Sequence, residues 1–248
     1  MPADPRHRLI VALDVSSAGE AMALVRDLDG IVSFYKLGWQ LFMSGEWNIV
    51  LSELASADLF IDLKLPGDIE NTIENTVRTM LRPNLRFVTL SNSMTLQGIR
   101  SAVRGRGESP SPKFLIVPLY SSLDAADLTG MTSTNVDVES FIAERGAWAL
   151  EAGCDGLIAS GSAISVLRAR FPQTTIVSPG IRLAGAAVDD HKRSTTPGEA
   201  IRQGADCLVV GRPITSPTTR ADRRRVAEQV VAEIHAALPS MPSGSRLS

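Results

Sequence analysis

The 248-residue chain carries 25 Lys and Arg against 27 Asp and Glu, a formal net charge of −2, with 44% hydrophobic and 21% charged residues. That balance is a globular protein's, and it supplies no basic field to collect a polyanion, so nucleic-acid binding is disfavoured from the start. Cys154 and Cys207 sit in apolar surroundings without a CxxC or Cys/His cluster, no apolar run reaches the about 18 residues of a membrane span, and residues 1–8 lack a signal-peptide core, so buried free thiols and a cytoplasmic protein are expected.

In chain order, residues 9–13 form an apolar run ending at Asp14, and Ser16-Ser17 precedes a helical pattern with Ala21, Leu24, Val25 and Leu28 on one face. Residues 31–37 resume as a strand with Lys36 near its end, and residues 39–54 read as one helix. The third unit is the run 59–65, ended by Pro66-Gly67; Asp68 is placed to cap a helix carrying Ile69, Ile73, Val77, Met80 and Leu81 at helical spacing. Residues 86–90 with 96–104 make the fourth pair, and 114–119 with 138–151 the fifth, separated by a long polar connection over 120–135. The sixth is 156–159 with 163–170, the seventh 174–178 with 197–203, and the eighth 207–210 with 223–238.

Strands that read as continuous apolar runs, each followed by a helix, point to a parallel sheet covered on its outer face. Eight such units predict an α/β protein folded as a single (β/α)8 TIM barrel over residues 9–238, with 1–8 as an N-terminal extension and 239–248 as a disordered tail. A doubly wound open sheet would want a glycine-rich fingerprint after the first strand, and Asp14-Val15-Ser16-Ser17 is not one.

Active sites of such barrels lie at the C-terminal ends of the strands, where this chain carries Asp14, Lys36, Asp62 and Lys64. Alternation along an extended strand puts Asp62 and Lys64 on one side of the sheet. Each charge alone reads equally as a solvated loop residue or half of a structural ion pair. Four at equivalent positions on the first three strands describe a confined electrostatic device whose members shift one another's pKa values. Late in the chain, Pro179-Gly180-Ile181-Arg182 and Gly211-Arg212 fall after strands seven and eight, the usual phosphate-binding quarter, so a phosphorylated small molecule is the expected ligand. His7, His191 and His235 are scattered without metal-ligand spacing, and no GxSxG or Ser/His/Asp arrangement is present.

On these residues the chain resembles the orotidine 5'-phosphate decarboxylase family. The resemblance rests on Ala12-Leu13-Asp14, Tyr35-Lys36-Leu37-Gly38, Asp62-Leu63-Lys64 with Asp68-Ile69-Glu70-Asn71-Thr72, Pro179-Gly180-Ile181-Arg182, and Val210-Gly211-Arg212-Pro213. It implies a carboxy-lyase of UMP biosynthesis that uses neither metal nor organic cofactor. Lys64 would protonate the carbanion left at C6 of orotidine monophosphate, with Lys36, Asp62 and Asp68 completing a Lys/Asp network. Asp14 would bind ribose, Ser121 the pyrimidine, and Arg182, Gly211 and Arg212 the phosphate region. Asp68 and Thr72 would reach into a neighbouring subunit's site, which implies a homodimer with shared active sites.

Two positions depart from the family pattern. Pro66-Gly67 lengthens the spacing between Lys64 and Asp68 by one residue, and the position usually held by a glutamine between phosphate and base falls on His191. These departures keep two alternatives in play: a paralogous decarboxylase acting on a modified pyrimidine nucleotide or a sugar phosphate, and a nucleotide-binding homologue that has lost catalysis.

Overall fold

The computed structural model describes residues 4–184 and 194–238, so the expected tail over 239–248 and the expected site residue His191 lie outside the described residues. Eight parallel strands close into one barrel in sequential order: β1 (Leu9–Leu13), β2 (Phe34–Gly38), β3 (Asp58–Leu65), β4 (Leu85–Leu90), β5 (Lys113–Ile116), β6 (Gly156–Ile158), β7 (Thr175–Ser178) and β8 (Cys207–Val210), the last pairing with the first. The intervening helices are α1 (Ala18–Asp27), α2 (Trp39–Met43), α3 (Trp47–Glu53), α4 (Glu70–Met80), α5 (Leu96–Arg106), α6 (Ala125–Thr132), α7 (Val138–Glu151), α8 (Ala163–Arg170), α9 (Pro197–Arg202), α10 (Arg212–Thr215) and α11 (Arg220–Ala237). The fold is a (β/α)8 barrel, as the alternation of elements predicts. Among the described residues no helix is long and apolar enough to cross a membrane.

Side-chain alternation divides the apolar residues between two cores. Leu9, Val11 and Leu13 point outward into the layer between strands and helices, where they meet α1 through Ala21, Leu24 and Leu28. Ile10 and Ala12 point inward to a smaller cluster with Phe34, Phe60, Phe87, Leu115 and Val209. The three phenylalanines interlock, with ring centroids 5.4 Å apart for Phe34 and Phe87 and 5.7 Å for Phe60 and Phe87. They plug the barrel, so any ligand must sit above them, toward the C-terminal ends of the strands.

Four of the stretches that differ from the sequence reading do so for a clear local reason. The strand expected from residue 31 begins at Phe34, because the N–H groups of Ile31 and Val32 bond back to Leu28 and close the end of α1. The single helix expected over 39–54 is two, broken at Gly45, whose φ of 82° places it in left-handed backbone. The polar connection over 120–135 contains α6, set by a capping box between Asp124 and Asp127. The last helix begins at Arg220, capped by the Thr219 hydroxyl, instead of at residue 223.

The N-terminal ends of the strands are pinned by two matched devices. Asp155, just before β6, accepts from the backbone N–H of Phe114 at 2.8 Å and from Arg106 at 2.6 Å. Asp206, just before β8, accepts from the N–H of Ile176 and from Arg168, both at 2.8 Å. Each carboxylate extends the ladder by one bond and ties a helix to it.

Candidate active site

The site begins with an irregularity in β3. Ile61 pairs with Val88 and Leu65 with Leu90, so four steps along β3 face two along β4. The slack falls on Asp62-Leu63-Lys64, and Lys64 takes a left-handed φ of 47°, a conformation that costs a side-chain-bearing residue about 1 kcal/mol or more. In a flat strand residues two apart sit roughly 7 Å from each other along the chain. The bulge instead folds the Lys64 ammonium back to 2.9 Å from Asp62 Oδ1.

From there a chain of alternating charge runs across β3, β2 and β1. Asp62 Oδ2 lies 3.3 Å from Lys36 Nζ, and Lys36 Nζ donates to Asp14 Oδ1 at 3.0 Å. Thr89 of β4 donates a fourth contact, from Oγ1 to Asp62 Oδ1 at 2.8 Å. The inner members are buried and the outer ones open: side-chain exposure is 10% for Lys36 and 15% for Asp62, against 33% for Lys64 and 54% for Asp14. Burial alone would push the Asp62 pKa up, but Lys36 and Lys64 together with the hydrogen bonds outweigh it and hold the carboxyl below its ordinary range. Burial would likewise lower the Lys36 pKa, and Asp62 with Asp14 reverses this, keeping the ammonium above its ordinary value. Both inner groups are therefore charged at neutral pH.

Gly38 makes room for this network. A Cβ there would stand 2.9 Å from Asp14 Oδ1 and in ordinary contact, 3.4 Å, with Lys36 Nζ, so a larger residue would push the Asp14 carboxylate aside.

These residues form one wall of a cavity of about 670 Å³ above the phenylalanine plug. Each inward position two residues beyond the plug reaches it: Asp14, Lys36, Asp62 and Thr89 on the charged side, then Val117 and Ser160, and finally Pro179 and Gly211. Arg182 and Arg212, which follow β7 and β8, also line the cavity, as do Tyr120, Ser121 and Ser122 after β5. The cavity thus pairs a buried, charged wall with an arginine-bearing rim, a form suited to an elongated ligand with an anionic end.

Of the site residues expected from sequence, Asp14, Lys36, Asp62, Lys64, Ser121, Arg182, Gly211 and Arg212 line this cavity. Asp68 and Thr72 do not: both are exposed and outside it. Nor does Asp68 cap α4, whose N-cap is Ile69 without a side-chain bond; the Asp68 carboxylate instead accepts from the adjacent Ile69 N–H at 2.6 Å. Pro66-Gly67 lies after Leu65 has paired with Leu90, between the end of β3 and Asp68. Sequence reading missed Thr89 and the steric part of Gly38. Thr89 was detectable as a polar residue on the inward parity of an apolar strand, two positions after Phe87.

The sequence matches the orotidine 5'-phosphate decarboxylase / HUMPS family over residues 7–230. It is 43% identical over 236 residues to orotidine 5'-phosphate decarboxylase of Methylobacterium radiotolerans, an alignment covering 94% of this chain and 98% of the relative. The corresponding protein of Afipia carboxidovorans is 41% identical, with 94% and 97% covered. The fold superposes on the crystal structure of orotidine 5'-phosphate decarboxylase from Lactobacillus acidophilus with a TM-score of 0.76 at 27% identity, covering 91% of this chain and 98% of that one.

Proposed function

Because this chain belongs to the orotidine 5'-phosphate decarboxylase / HUMPS family, we propose that it converts orotidine 5'-monophosphate to UMP and carbon dioxide, with Lys64 as the proton donor. The observation that carries the reading is Asp62, shared between two ammonium groups at 2.9 and 3.3 Å on the wall of the cavity. The bond from C6 to the carboxylate carbon breaks, its electron pair stays on C6, and carbon dioxide leaves. The Lys64 ammonium then gives a proton to C6, and the amine recovers one from water. Fixed charges aimed at the developing carbanion need no reorganisation as it forms, which is how a preorganised site lowers such a barrier.

The remaining residues divide the substrate between them. Arg182, Gly211 and Arg212 hold the phosphate, whose remote binding energy helps place the pyrimidine against the charged wall. Asp14 binds ribose and Ser121 the base. In the sequence, the position that a glutamine usually fills in the family is His191.

Asp68 and Thr72 act in a second copy of the chain, so the working unit is a homodimer in the cytoplasm. Their exposure supports this, as does the 73% exposure of Ile69 beside Asp68. A mixing experiment tests the arrangement: Lys64→Ala and Asp68→Ala chains, each inactive alone, recover about a quarter of wild-type activity when randomly reassorted, because half the dimers carry one intact site. Recovery of nothing contradicts shared sites.

The function itself is tested by following orotidine monophosphate spectrophotometrically with a metal chelator present. Steady conversion to UMP is expected. Tight UMP binding with no decarboxylation at high enzyme concentration would overturn the proposal in favour of a nucleotide-binding homologue.

A further inference from the structure

Thr89 is 1% exposed, and its hydroxyl has one hydrogen and two lone pairs to place. The hydrogen goes to Asp62 Oδ1 at 2.8 Å, and the oxygen accepts the backbone N–H of Lys64 at 2.9 Å. The polarity is forced, since an ionised carboxylate only accepts and a backbone N–H only donates. The second bond matters because of the bulge. Between the pairs Ile61 with Val88 and Leu65 with Leu90 the regular β3–β4 ladder is interrupted, and the Thr89 oxygen takes the Lys64 N–H in its place. One side chain therefore touches both the left-handed backbone of Lys64 and the carboxylate that its ammonium grips.

We propose that Thr89 is a positioning residue for proton delivery. Through one hydroxyl it braces the Lys64 backbone in its left-handed conformation and turns the Asp62 carboxylate, so that the ammonium is aimed into the cavity. This inference rests on the decarboxylase reading for the identity of the step, and on the geometry alone for the coupling of the two residues. Val117 and Ser160 line the same level of the cavity and appear in none of the contacts to Asp62 or Lys64 described above, which sets Thr89 apart from its neighbours.

The test compares Thr89→Val, which keeps shape and removes the hydroxyl, with Thr89→Ser, which keeps the hydroxyl. Losing a hydrogen bond to a charged group predicts a fall in kcat of about 10- to 100-fold for Thr89→Val. Thr89→Ser should return kcat to within about threefold of wild type, and the Kd for UMP should stay within about threefold in both, since binding and aiming are separable. A threonine that only fills space would give equal losses in the two variants, or a Kd that worsens in step with kcat, and either result overturns the proposal. So does a Thr89→Val enzyme with wild-type kcat. Titration of the Asp62 carboxyl by carbon NMR separates this claim from the decarboxylase reading. If the wild-type protein fails to decarboxylate orotidine monophosphate, that reading falls. The coupling still stands if Thr89→Val raises the Asp62 pKa and Thr89→Ser does not, and is lost if neither variant moves it.

Discussion

The two ends of the barrel both carry buried or half-buried ion pairs, and they are built in opposite ways. At the N-terminal end the cations are arginines, each matched to one carboxylate that also accepts a strand N–H. Arg168 bonds through all three nitrogens, to Asp206 and to the carbonyls of Gly204, Pro172 and Thr174. A guanidinium does not release its proton in a protein, and its fixed fork suits it to holding strands and helices in register. At the C-terminal end the cations are lysines, one carboxylate serves two of them, and the outer lysine faces a cavity. Similar charges thus lock structure where the cation keeps its proton and permit chemistry where a proton can move.

Substitutions at the two ends should separate accordingly. The largest effect is expected for Lys64→Ala, which removes the proton donor: kcat on orotidine monophosphate should fall by about a thousandfold or more while the thermal midpoint changes little. Asp62→Asn comes next, because it leaves the buried Lys36 and the Lys64 ammonium facing each other without their shared counter-charge. We expect about a hundredfold loss in kcat/KM, with the Lys36 pKa falling. Gly38→Ala should cost roughly tenfold through displacement of the Asp14 carboxylate, whose Oδ1 would lie 2.9 Å from the new methyl group. Asp206→Asn should leave kcat/KM within about twofold and instead lower unfolding free energy by about 1.5–3 kcal/mol in urea titrations. An Asp206 variant as inactive as the Asp62 variant would erase the distinction between the two ends.

The pH dependence sharpens the same contrast. Asp62 has a folded pKa below its ordinary 3.8, so the stability it contributes is present above that value and is lost as pH falls through the lower folded value. Lys36 has a folded pKa above its ordinary 10.5, so its contribution is present below that value and is lost as pH rises through the higher folded one. The difference in stability between wild type and Asp62→Asn should therefore be flat across the neutral range and shrink at both extremes, as read from urea midpoints.

Much of this was legible in the sequence because the signals were local. Apolar runs alternating with helical periodicity located all eight strands, and charges at the strand ends identified Asp14, Lys36, Asp62 and Lys64 before any geometry was known. What stayed hidden depends on neighbours distant in sequence. The bulge is a mismatch between β3 and β4, so no pattern within residues 58–65 announces that Lys64 turns back toward Asp62. Thr89 matters only through a partner 27 residues away. The break at Gly45 and the helix within 120–135 were missed for a different reason: a left-handed glycine and the Asp124 capping box were present in the sequence, but lay inside stretches judged by their overall composition.

Proton exchange at C6 of UMP in heavy water tests the central claim most directly, because it isolates the Lys64 step from the departure of carbon dioxide. By microscopic reversibility the wild-type protein should exchange the C6 hydrogen for deuterium, and Lys64→Ala should bind UMP but leave that hydrogen in place. Exchange by Lys64→Ala at the wild-type rate would contradict the assignment of Lys64 as the proton donor.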